Sequence, residues 1–434
     1  MDKILDQAQK VAEAAEVFLV TSEETPVKFE ANRLKHIQSK QSQIVALRII
    51  REGRIGYSVT TDLDDVPRLI NSAVETAEFG MPAKFEFPSP TIPPQVDTYD
   101  PDVKSVSLEQ MIGLGEEMIA TVTGHTLDII CEADVTKDII SVSITNSGGN
   151  KASYRKTVFS LGIEGSLIRD TDMLFVAESQ SSCHPITETK EVTDTVLRQL
   201  EWARNRASAP GKSLPVIFTP NGVASALISP LMVAFNGKMV LEGASPIGNS
   251  LGKPVFDKKL WLWDDATIAY RPGSRPFDEE GVPSQCTPLI EAGTPANFFY
   301  DLQTAALANK YSTGNGQRHG AGLPTPSPSA FIIQSGDTSF NDMLADIKEG
   351  LIIEYLMGAE QGNILGGDFN GNVLLGYKVE NGRIVGRVKD TMVSGNVYQI
   401  LKGITAIGND AKWVGGFLKS PSLYCPSLSV AVKR

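Results

Sequence analysis

VLLGYKVENGRIVGRVKD, residues 373–390, is the stretch that decides the fold class. Apolar residues alternate with polar ones on both sides of Asn381-Gly382, a dipeptide suited to the positive φ angles of a two-residue hairpin turn. The reading is two antiparallel strands. LPVIFT (214–219) and LSVAVK (428–433) add strand-like runs, and Gly, Pro and Asn punctuate the rest, so the C-terminal half is read as β-rich. One helix is expected between these strands. Thr219 stands where an N-cap belongs, Pro220 at the first helical position, and Asn236-Gly237 closes a segment through ALISPLMVAF (226–235), which Pro230 should kink.

The N-terminal half mixes both periods. Residues 2–15 place Ile4, Leu5, Ala8, Val11, Ala12 and Ala15 at helical spacing. VFLVTSE (17–23), VKFEANRL (27–34) and IVALRIIREGRIGYSVTT (44–61) read as strands of a meander, with a turn at Glu52-Gly53. Asp62 and Asp64 are expected to cap a helix carrying Val66, Leu69, Ile70, Ala73, Val74 and Ala77. FEFPSPTIPPQVDTYDP (85–101), with five prolines, reads as an extended connector. Beyond it come a helix over 107–122, a hairpin pair at 127–135 and 139–146, long antiparallel strands over 152–180, and a charged helix near 187–206. SAPGKS (208–213) breaks the pattern. The expected architecture is α+β: residues 1–208 as a helix-plus-antiparallel-strand domain, divisible near 85–101, and residues 209–434 as a β-rich domain.

Composition narrows the function. A chain of 434 residues fits two or three domains, and 40 Lys+Arg against 51 Asp+Glu give a net charge of -11, the wrong sign for neutralising a phosphate backbone. No direct nucleic-acid contact is expected. No run approaches the length of a membrane span, and the N-terminus lacks a basic region followed by an apolar one, so a cytoplasmic chain without membrane contact is expected. Cys131, Cys183, Cys286 and Cys425 form no CxxC pair, and no two of His36, His125, His184 and His319 fall within a helical turn. Cys183 and His184, adjacent on a strand, should point apart.

Few motifs carry chemistry. GASPIG (243–248) approximates a nucleophile elbow, but its second glycine comes one residue late, so Ser245 is read as part of an ordinary turn. Asp264-Asp265 and Asp278-Glu279-Glu280 are read first as solvated turn acids, His319 as a surface histidine, and Cys425 as a buried strand residue. STGNGQR (312–318) frees backbone N–H groups and offers Arg318 as a carboxylate or phosphate clamp; it lacks the spacing of a nucleotide-binding loop, which leaves a turn or a peptide-contacting loop.

Taken as whole phrases, VIFTPNGVASAL (216–227), DDATIAYRPGSRPFDEEGVPSQCTPLIEAG (264–293), STGNGQR, LGGDFNGNVLLGYKVENGRIVGRVKD (365–390), VSGN (393–396) and IGND (407–410) resemble the TldD/PmbA family, once called modulators of DNA gyrase and regarded as metallopeptidases. VALRIIREGRIGYSVTTDL (45–63) extends the resemblance into the N-terminal half. In TldD-type members the helix after the first C-terminal strand bears HExxxH, which holds a metal and a general base. Near Ile228, Ser229 and Val233 this chain has neither His nor Glu, and Cys425, directly before Pro426, is no clear counterpart of the family's third ligand. The resemblance therefore implies the PmbA (TldE) branch: no catalytic or metal-binding residue, no cofactor, a TldD-type partner subunit, and unfolded or leader peptides as substrate, held as an added strand at a sheet edge. Ser312, Thr313, Gly314, Asn315 and Arg318, with Asp368 and Asn370, are the residues assigned to peptide or partner contact. Two alternatives stand beside it: an autonomous hydrolase using some of Asp264, Asp265, Asp278, Glu279, His319 or Cys286, and a non-catalytic, peptide-binding homodimer.

Overall fold

The structure, a computed structural model, describes residues 1–318 and 322–432. Seven strands form an antiparallel sheet: β1 (Ala14–Glu30), β2 (Arg33–Ile37), β3 (Lys40–Arg51), β4 (Arg54–Thr60), β5 (Ile130–Asn146), β6 (Lys151–Arg169) and β7 (Asp172–Ser182). They lie in the order β4-β3-β1-β5-β6-β7, with β2 on the far end of β1. Helices α1 (Asp2–Ala8) and α2 (Val66–Glu78) bury Ile4, Leu69, Ile70 and Ala73 against Val17, Val45 and Leu47 at one end. The short α3 (Pro101–Ser105) leads into α4 (Leu108–His125), which Ser107 starts with a capping box, and α5 (Lys190–Trp202) joins them over the rest of the sheet.

Four local expectations are corrected here. The first helix ends at Ala8, because Ala14 and Ala15 are taken into the ladder opposite Ile50 and Ile49. VFLVTSE and most of VKFEANRL are one strand; its turn falls at Ala31-Asn32, both at positive φ. Residues 127–146 hold one strand rather than a hairpin, since Thr136, Lys137 and Asp138 pair with β1 on one side and β6 on the other. Asp65, not Asp62 or Asp64, caps α2 by accepting the Arg68 N–H at 3.1 Å, while Asp62 accepts the N–H of Asp64.

The C-terminal half is built on a strand ring. β9 (Ser213–Phe218) pairs with β16 (Glu349–Met357) and β23 (Leu423–Val432), β23 with β19 (Thr391–Asn396), β19 with β17 (Asp368–Glu380), and β17 back with β16. These five strands close into a small barrel. β18 (Arg383–Val388), β8 (Arg206–Ala207) and β20 (Ala406–Ile407) extend it. The Asn381-Gly382 turn forms as read, with φ of +49° and +73°. A six-stranded sheet, β12-β11-β10-β15-β22-β21, packs beside the ring; its strands are β10 (Leu262–Asp265), β11 (Cys286–Glu291), β12 (Thr294–Pro295), β15 (Phe331–Ile333), β21 (Lys412–Val414) and β22 (Leu418–Ser420). A two-stranded ribbon pairs β13 (Gly316–Arg318) with β14 (Pro324–Pro326).

The ring strands β9 and β16 are apolar on both faces because both are covered. Val216, Phe218, Leu351 and Ile353 face a core shared with α6 (Pro220–Ala226) and α7 (Ile228–Ala234). Ile217, Ile352, Leu375, Tyr377 and Tyr424 face the opposite way, into a core completed by Val27, Phe29, Met111 and Val196 of the N-terminal half. The helix through 226–235 breaks at Leu227; Pro230 then sits in the first turn of α7, where its missing N–H leaves no bond to Ala226 unmade. The remaining helices, α8 (Gly237–Leu241), α9 (Leu302–Leu307), α10 (Phe340–Asp346) and α11 (Val397–Lys402), are single or double turns. Among the described residues no helix is long and apolar enough to cross a membrane.

Candidate functional site

The DEEG and STGNGQR phrases meet the strand of VALRII at the seam between the N-terminal sheet and the C-terminal half. Glu16 on β1 and Arg48 on β3 are direct cross-strand partners and both are buried. Arg48 reaches Glu16 Oε2 at 3.0 Å and Glu280 Oε1 at 2.6 Å, and Arg318 reaches Glu16 Oε1 at 2.5 Å. The Phe85 and Phe87 rings lie 4.8 and 5.1 Å from the Arg48 guanidinium carbon. Glu279 accepts the Arg318 N–H at 2.5 Å, and Glu280 accepts that of Leu302 at 2.7 Å. The effect is an ionic clamp across the seam, whose charges are paired as buried charges must be.

The reading of these carboxylates as solvated turn acids is corrected for Asp264, Asp278 and Glu280, which are buried. Asp264 accepts the N–H groups of Ser329 and Ala330 and, at 2.5 Å, the Asn315 amide. Asp278 accepts the N–H groups of Glu280, Val282 and Gly316. They organise loop backbone. Burial pushes the Asp264 carboxyl up to about 6, against the bonds from Asn315 and Ser329. Asp265 accepts from Thr267, and Cys286, opposite it on β11, is an exposed thiol pushed up to about 11 by partial burial and by Asp265. Cys183 is buried while His184 turns outward to Asp100, although both lie in a bend just past the end of β7 rather than on a strand. Ser245 donates to the Ala234 carbonyl inside a turn.

The residues assigned to peptide or partner contact fall in two places. Ser312 and Thr313 are half-buried and bonded to the Tyr300 backbone, Gly314 has φ of +73°, and Asn315 and Arg318 are buried in the seam. Asp368 and Asn370 are exposed on β17 of the barrel, where Asp368 accepts from Asn396 at 2.8 Å. His319 lies outside the described residues.

The family resemblance would put metal ligands on the helices that follow β9. Residues 220–234 contain no His, Glu, Asp or Cys. Cys425 is fully buried on β23, its thiol pushed up to about 12 by burial. Among the described residues no three His, Cys, Asp or Glu side chains are grouped to hold a metal ion.

A different site opens between α5 and the barrel. A cavity of about 350 Å³ is bounded by Arg198 and Trp202 of α5, Thr219, Phe340, Glu354 of β16, and the Asp410–Lys412 segment. Glu354 is buried; its Oε2 accepts from Thr219 Oγ1 at 2.9 Å, and its Oε1 is buried with no hydrogen-bond partner among the described residues. Burial raises its pKa, opposed by the charges of Lys412 and Arg198. Lys412 is ion-paired with Glu178, to which Asn221 also donates at 3.3 Å, and Asp410 accepts from Ser422. Trp202 and Phe340 stack at 5.8 Å, with the Arg198 guanidinium carbon 5.3 Å from the Trp202 ring. A second cavity of about 260 Å³ continues past Thr195 and Lys412, between the outer edge of β7 at Glu178–Ser181 and β21. Motif reading missed this site, although one signal was visible: Glu354 is a lone acid inside the apolar run LIIEYL.

Comparison with known proteins places the chain. Residues 210–432 match the PmbA/TldA metallopeptidase C-terminal domain, and residues 15–77 match the PmbA/TldA metallopeptidase domain 1. The chain is 26% identical to an uncharacterized protein of Methanocaldococcus jannaschii over 98% of each chain, and 24% identical to a metalloprotease of the same organism over 95% of this chain and 93% of the relative. Its fold is similar to that of TldE from Thermococcus kodakarensis, with a TM-score of 0.89, 19% identity and 99% of each chain covered. The matched domains together span more than half of the sequence, and the chain belongs to the PmbA/TldD metallopeptidase family.

Proposed function

We propose that this chain is the PmbA/TldE-like subunit of a peptidase acting on unfolded or leader peptides, with the metal and the general base supplied by a TldD-type partner in the cytoplasm. The observation that carries this reading is the side-chain set of α6 and α7: Ile228, Pro230, Leu231 and Ala234 are buried apolar groups, and no ligand-type residue stands anywhere between 220 and 234. A zinc peptidase site needs three protein ligands and an open position for water, and none can be built from these side chains.

Two exposed strand edges support a peptide-holding role. Among the described residues β7 has a strand partner on one side only, and β21 pairs only with β22. The Gln199 amide and Tyr355 hydroxyl occupy the β7 edge at Ala177, which closes it to an added strand there. Beyond that point, Glu178–Ser181 face β21 across the smaller cavity, a span suited to an extended backbone. The test is cleavage of an unstructured polypeptide by the purified chain, with and without a TldD-type chain. No cleavage alone and cleavage in the mixture is the expected result; chelator-sensitive cleavage by this chain alone would sink the reading.

A further inference from the structure

We infer that the cavity beneath Glu354 is a binding site for a small zwitterion with a free ammonium and a free carboxylate, a dipeptide or single amino acid. The observation is a pair of groups of opposite sign, neither ion-paired among the described residues, bounding one half-open cavity. On the barrel side, Glu354 Oε1 is buried without a partner among the described residues, and whether that atom is a carboxylate oxygen or a carboxyl O–H it requires one. On the α5 side, Arg198 is exposed, and among the described residues no carboxylate lies within ion-pairing distance of it. By contrast, Lys412 is already committed to Glu178, and Asp410 to Ser422.

The wall between the two charges is aromatic. Trp202 and Phe340 lie parallel, 8° apart, and Tyr377 meets Trp202 edge-on at 5.3 Å, so the indole is held in place from two directions. Buried carboxylate, aromatic wall and free guanidinium together suit an α-ammonium at Glu354 and an α-carboxylate at Arg198, where the planar fork can bind both oxygens. The volume, about 350 Å³, is at the lower end of small-ligand pockets and matches a ligand of amino-acid or dipeptide size.

The site stands on this cavity and does not rest on the subunit reading; binding is measured on the isolated chain, so either can fail without the other. The experiment is titration calorimetry of the full chain with leucine, Ala-Ala, N-acetyl-Ala-Ala and Ala-Ala amide. Leucine or Ala-Ala, or both, are expected to bind with a dissociation constant of about 1 mM or tighter. N-acetylation should weaken Ala-Ala through Glu354, amidation through Arg198, each by about tenfold or more. Glu354→Gln keeps the side-chain shape and should abolish the penalty for acetylation, because the charge that reads the ammonium is gone. Arg198→Gln, at an exposed position that does not threaten folding, should do the same for amidation. Absence of binding by all four probes, or equal binding of blocked and free termini, overturns the proposal.

Discussion

Arg48 satisfies two carboxylates that come from opposite sides of the seam, Glu16 on its own sheet and Glu280 on the DEEG loop. Removing it would leave Glu280 buried without a cation and Glu16 with Arg318 alone. Arg48→Met should therefore cost about 3–5 kcal/mol in urea unfolding, the usual penalty for breaking a buried pair on one side; a variant as stable as the parent would show that the clamp contributes nothing. Asp264 gives a pH signature. Its carboxyl is raised by burial from 3.8 to about 6, so its contribution is full below about pH 4 and is lost as pH rises through 6. Relative to Asp264→Asn, the parent should lose roughly 3 kcal/mol between those limits and stay level above them; parallel profiles for the two proteins would refute this. At this scale the sequence hid more than it revealed. Nothing in DEEG says that the loop folds inward, but Glu16 in AEVFLV, Arg48 in VALRII and Glu354 in LIIEYL are charges inside apolar strand runs, and each is buried.

At the scale of elements, α6 lies so close on β16 that the Cβ of an alanine at Gly222 would come 2.2 Å from the Ile353 carbonyl oxygen. Backbone on both sides leaves no flexible atom to give way. Gly222→Ala should push α6 off the barrel and lower stability by about 1–3 kcal/mol, the cost of an overpacked core, with a matching fall in thermal midpoint; an unchanged midpoint would mean that the helix has freedom the packing denies. Short signals were legible here. Asn381-Gly382, Glu52-Gly53 and the Thr219-Pro220 helix start are decided within a few residues, and each forms where it was read. The long strands were not. Polar Thr136, Lys137 and Asp138 look like a turn until a neighbouring strand on each side takes up their backbone groups, which is information held elsewhere in the chain.

At the scale of the molecule, the division suggested at SAPGKS is bridged from both directions. β8, just before it, pairs with β18, and the core behind Tyr377 and Ile352 is completed by Met111 and Val196 of the N-terminal half. Urea unfolding followed by tryptophan fluorescence and by far-ultraviolet circular dichroism should give coincident, single transitions; two separated transitions would show that the halves hold themselves independently. The α+β class and the family could be read from the sequence, whereas the closure of the barrel and the cavity beneath Glu354 could not, since both depend on strands more than a hundred residues apart. On the proposed reading, this chain relies on a partner for its metal. Elemental mass spectrometry of the purified, dialysed protein tests it most directly: no stoichiometric transition metal is expected, and about one zinc ion retained per chain would contradict it.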